Sequence, residues 1–231
     1  MLNHPGKIAL VFLLFGIFIY FGFRITPKHL QTQTDSNPTE VSNVELQKQA
    51  EAQLESIQKA ELDELKEQLT SPVDSIKLHA LKRISGLWYD HNQWELAGDY
   101  AIEVAKLENT AASWGIAGSS YLPSLEESNP RAMECQKKAI SCLDKAITMD
   151  PENPQFKMNK ALCLVKLPGD NPMEGIMMLR ELDKSNPEYL PVQISLSQLA
   201  MQTRQWDKAY DRLQRALSKY PENEEINCLL V

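Results

Sequence analysis

Three segments of this 231-residue chain repeat one spacing, and that spacing constrains the fold more than anything else in the sequence. Ala139, Leu143, Ala146 and Pro151 form the first set, Gly175, Leu179, Leu182 and Pro187 the second, and Ala209, Leu213, Ala216 and Pro221 the third. In each the offsets are 4, 7 and 12, and the prolines stand 36 and 34 residues apart. Offsets of 4 and 7 place three residues on one helical stripe. The proline then stops the helix, because it lacks an N–H and its ring clashes with the preceding turn. A small residue at the head of each stripe lets a second helix approach closely. A period near 34 with paired helices predicts a solenoid of helical hairpins.

The first half of each unit is clearest in WGIAGSSY, with Trp114, Ala117, Gly118 and Tyr121 at helical spacing. Together these residues resemble the tetratricopeptide repeat family, whose pattern is W-x2-L-G-x2-Y, then A-x3-F-x2-A, then P. The resemblance covers about two-thirds of the chain and implies four repeats, at about 78–110, 111–153, 154–189 and 190–223. The first carries Ser85, Trp88, Ala97, Ala101 and Val104 on the pattern but has Asn109 where proline is expected. The second holds extra residues in the loop LPSLEESNP, and the third departs from the pattern with Lys157 and Lys160 in its first helix. Residues 224–231 are too few for a full capping helix.

Upstream, Ile8 to Phe23 has no charged residue. That is about 24 Å of helix at 1.5 Å per residue, slightly under a hydrocarbon core, and Lys7 and Arg24 can snorkel at its ends. The exit, YFGFRITPKHL, lacks the small-residue cleavage site of a secretory signal. Residues 1–25 therefore read as a retained transmembrane anchor, with membrane contact through 8–25. Basic residues nearly tie across the run, so the positive-inside rule scarcely orients it. Its short N-terminal tail favours a repeat domain on the non-cytoplasmic side of a bacterial inner membrane. Residues 26–43 read as a polar linker. Residues 44–70 contain no glycine or proline and read as one amphipathic helix. Its stripe is Leu46, Ala50, Leu54 and Ile57, then Leu62, Leu65 and Leu69 after a step of five that breaks the heptad register. The expected fold is thus all-α: a repeat domain at 71–231, preceded by a long helix and a transmembrane helix.

The net charge is −7, and since residues 1–25 contribute Lys7 and Arg24 with no acid, the remainder carries about −9. Such a body repels phosphate backbones, which argues against nucleic acid as a partner. The four cysteines show no CxxC and no zinc spacing with histidine, and read as small buried hydrophobes. No phosphate-binding, metalloprotease or nucleophile-elbow motif is present, so neither an enzyme, a metal site nor a cofactor is expected.

The resemblance implies a concave groove, lined by the first helix of each repeat, that receives a protein or peptide partner. Its register selects His79, Lys82, Arg83 and Tyr89 in the first repeat, Met158, Asn159 and Leu162 in the third, and Ile194, Gln198 and Met201 in the fourth. His79, Lys82 and Arg83 make one end basic. The family's carboxylate clamp wants Lys and Asn four apart, but Lys82 is followed by Gly86. Two roles fit: a membrane-anchored scaffold that binds a partner in the groove and assists assembly or translocation, or a structural tether that self-associates through residues 44–70.

Overall fold

The computed structural model describes residues 38–126, 128–167, 169 and 173–230. The expected anchor at 1–25 and most of the linker lie outside the described residues. Among the described residues, no helix is long and apolar enough to cross a membrane. The chain divides into two units, Met1–Ala52 and Gln53–Val231. The described part of the first is helix α1, Pro38–Glu51.

The second unit opens with α2, Ser56–Gln68, so the single helix expected over 44–70 is two. The break at 52–55 has a local cause. Glu55 is extended, and its N–H donates to Gln58 Oε1 at 2.9 Å in a capping box that starts a new helix. The linker is also shorter than expected, because α1 already begins at Pro38.

Antiparallel hairpins follow. They pair α3 (Asp74–Asp90) with α4 (Trp94–Glu108), α5 (Ala111–Ser120) with α6 (Ala132–Met149), α7 (Pro154–Lys166) with α8 (Met173–Ser185), and α9 (Leu190–Gln202) with α10 (Trp206–Lys219). A six-residue helix, α11, spans Glu224–Leu229. α2 packs on α3, burying Leu62 and Leu65. Those two leucines belong to the seam that self-association through 44–70 would need, and the chain itself already covers them.

Local chemistry sets the ends. Pro151, Pro187 and Pro221 each stand two residues beyond a second helix. In the first hairpin Asn109 takes the proline's place: it is left-handed at φ 48° and accepts a hydrogen bond at Oδ1 from Trp114 Nε1 at 3.2 Å. Asn153 caps α7 by accepting from the Gln155 N–H at 3.0 Å, with Pro154 in the first turn.

Close helix crossings explain the small residues. An added Cβ at Gly118 would sit 2.5 Å from Leu143 Cγ, and one at Gly175 2.6 Å from the Ala161 carbonyl oxygen. One at Gly98 would collide with the Tyr121 ring. The long loop of the second repeat is also pinned. Leu122–Ser124 form a 3-10 turn, Leu125 is buried, and Arg131 Nε meets Glu95 Oε2 at 3.0 Å. Tyr121 donates its hydroxyl to Asp99 Oδ1, which also receives Lys138 Nζ at 2.6 Å. Burial first, and then the Asp99 carboxylate, hold the Tyr121 phenol far above its ordinary range.

A candidate binding groove on the first helices

A cavity of about 840 Å³ opens on the face of α3, α5 and α7, the first helices of three successive hairpins. The small residues of α5 let its neighbours close in around it, and its own outward residues become one wall. That wall carries Ile116, which is 62% exposed, between Ser113 and Ser119 with Ser120. α3 supplies Lys82 and Tyr89, and α7 supplies Gln155 and Asn159.

The wall's hydroxyl protons are already committed. Ser113 donates to Thr110 O at 3.0 Å, and Ser119 and Ser120 donate to Ile116 O at 3.1 and 2.8 Å. Ser119 and Ser120 therefore face the groove as oxygen acceptors, while the Ser113 oxygen is already taken by the Thr110 N–H at 3.2 Å. Asn159 is oriented by a relay in which the Tyr189 hydroxyl donates to Gln155 Oε1 at 2.5 Å and Gln155 Nε2 donates to Asn159 Oδ1 at 2.8 Å. The Asn159 amide donor has no partner among the described residues. Donor, acceptors and two exposed apolar side chains together suit a polypeptide, whose main chain offers both hydrogen-bonding senses beside apolar side chains.

The ten residues selected from sequence part company here. Lys82, Tyr89 and Asn159 line this cavity. His79 lies on α3 away from it, and Gln198 and Met201 lie on α9, outside it. Met158 and Ile194 are core residues instead, packed in apolar clusters away from the cavity, and Leu162 packs beside Met158. Asn159 is as deeply buried, at 7% exposed, but lies in the cavity wall. Helices α8 and α9 cover Met158, while Leu213, Ala216 and Ile226 cover Ile194. The basic end is also corrected. Lys82 Nζ pairs with Glu108 Oε1 and Arg83 with Glu61 Oε1, each at 2.5 Å, so neither cation stands unpaired. Arg83 faces a smaller cleft of about 260 Å³ between α2 and α3. Ile116 was missed, although it stands as far before Gly118 as Asn159 does before Ala161.

Among the described residues no group of three or more His, Cys, Asp or Glu is placed to hold a metal. Burial pushes the Cys135 and Cys142 thiols up to about 11 and Cys163 up to about 12. Cys228 departs from the expectation of burial and is exposed on α11.

A paired-helix array with this period and these crossings defines a helical-hairpin solenoid. No sequence profile of a known family matches the chain, and no curated protein does. Among solved structures it is similar to TTC0263, a thermophilic TPR protein of Thermus thermophilus, with a TM-score of 0.55 and 16% identity over 72% of this chain and 82% of that one. A mutant of MamA aligns with a TM-score of 0.41 and 14% identity, over 68% of this chain and 86% of that one. The first likeness shows the fold, which is the tetratricopeptide-repeat solenoid.

Proposed function

We propose that this chain is a membrane-anchored interaction scaffold whose repeat domain holds a segment of a partner protein in the groove on α3, α5 and α7. The observation that carries the reading is the pairing of exposed Ile116 and Tyr89 with the unpartnered Asn159 donor, among the described residues, in one cavity. Apolar anchors at the centre of a polar rim are the usual anatomy of a protein-binding patch. The uncharged run Ile8–Phe23 supports the anchor. The short N-terminal tail is what favours a repeat domain on the non-cytoplasmic side of a bacterial inner membrane, and a role in assembly or translocation there is part of the same proposal.

Site-specific photocrosslinking of the full chain in membranes tests the groove. A crosslinker at position 116 should trap a discrete partner, and one at exposed Met177 on α8 should not. Equal trapping at both positions, or none at 116, defeats the groove reading. Alkaline carbonate extraction with an N-terminal mass measurement tests the anchor separately, and a mature chain starting after residue 23 would remove it.

A further inference from the structure

Helix α10 has two unlike flanks. On one, Arg212 Nη1 meets Asp183 Oδ2 at 2.9 Å and Gln193 Oε1 at 2.7 Å, and Lys219 pairs with Glu188, so this flank is joined to α8 and α9 and the loop between them. The other flank carries Trp206 and Tyr210, one turn apart and 59% and 56% exposed.

The earlier hairpins show what this register normally meets. Tyr210 follows Ala209 as Gly98 follows Ala97 and Ile140 follows Ala139. Gly98 is buried under Tyr121, which follows α5 of the next hairpin. Ile140 packs on a cluster that includes Cys163 of α7, again the next hairpin. Gln136, at the register of Trp206, donates to Cys163 O at 2.9 Å and Leu167 O at 2.6 Å. At α10 the same stripe has changed to two large aromatics. α11 lays Ile226 over Ile194, Leu213 and Ala216 but leaves Trp206 and Tyr210 bare.

We infer that this edge of α10 is the contact surface for a second copy of the chain, the two α10 helices packing antiparallel across a two-fold axis. Charge favours a second copy over another occupant. Arg204, before the start of α10, meets no carboxylate among the described residues, and Glu222, Glu224 and Glu225, beyond its end, meet no cation among them. The helix is about 20 Å long, so antiparallel pairing brings Arg204 of each chain toward the acids of the other. An isologous contact of this kind closes on itself as a dimer and leaves no open end to polymerise. It uses neither the groove nor residues 44–70, so its failure leaves the groove reading standing.

Sedimentation equilibrium of the full chain in density-matched detergent tests the contact. The parent should be a dimer at tens of micromolar. Trp206→Ser with Tyr210→Ser should weaken it at least tenfold, with helix content by circular dichroism unchanged. Arg204→Glu should also weaken it, and adding Glu222→Arg and Glu225→Arg to that variant should restore it, which a fold defect would not do. A monomeric parent overturns the inference. So does a dimer indifferent to both sets of substitutions, and so does a monomer that binds a different protein through Trp206.

Discussion

Gly98 in the first hairpin and Tyr210 in the fourth occupy one register, each directly after the small residue of a second helix, and their surroundings are opposite. Gly98 is enclosed, with the Tyr121 ring pressed where its side chain would be. Tyr210 carries a full phenol ring at that point and stands more than half exposed. The register is shared but the residue and its cover both differ: α4 has glycine there and meets Tyr121 beyond α5, whereas α10 has tyrosine there and α11 leaves it uncovered. In a solenoid each unit contacts only its neighbours, so a position is core or surface according to what comes next in the chain.

The largest break in that comparison should come at the covered site. Gly98→Leu forces a side chain into the Tyr121 ring and should destabilise the repeat domain by about 3 kcal/mol or more. Thermal melts of the full chain in detergent measure it, and an unchanged midpoint would mean that Tyr121 is not seated on Gly98. Tyr121→Phe comes next. It leaves the ring in place but removes the donor to Asp99, and a loss of about 1–2 kcal/mol is expected from the half-buried acceptor.

Alkaline pH probes the same enclosed region more gently. The folded thiols of Cys135, Cys142 and Cys163 hold their protons to about 11, 11 and 12, while an unfolded chain releases them near the ordinary value of 9. The folded state therefore binds more protons between those limits. Its stability is fully present below pH 9 and falls as pH rises through 11. Melting midpoints under reductant should drop across that window, and Cys163→Ala should flatten the slope. An identical slope in that variant would show that the thiol is not enclosed. Ellman titration of the native chain at about pH 8 should find Cys228 fast and the other three slow. The smallest effect belongs to the uncovered site: Tyr210→Ala in dilute solution should change stability by no more than about 0.5 kcal/mol. A larger loss would mean that Tyr210 is packed within its own chain and that the contrast with Gly98 is false.

Much of the fold was legible because it is local. The stripe Ala209, Leu213, Ala216 and the stop at Pro221 are consequences of helical periodicity and proline geometry, which a window of a dozen residues contains. Asn109 hid one stop, since a left-handed asparagine ends a helix as well as a proline does. The break at 52–55 was not legible: the lost register between Ile57 and Leu62 falls inside α2, and the Glu55–Gln58 box that restarts the helix was not read.

The site was legible only where register and coverage agree. Helical spacing set the angle at which Asn159, Met158 and Ile194 leave their helices, and by that measure all three suited a groove. What each one meets was decided by elements well beyond its own helix. α8 and α9 close over Met158, α10 and α11 close over Ile194, and Asn159 alone of the three is left beside the cavity with its donor free among the described residues. The charges followed the same rule. Lys82 and Arg83 read as a basic patch in the sequence because their partners, Glu108 and Glu61, lie on other helices. Periodicity fixes a side chain's direction within its own helix, whereas burial and net field are sums over neighbours that only the packed chain brings together.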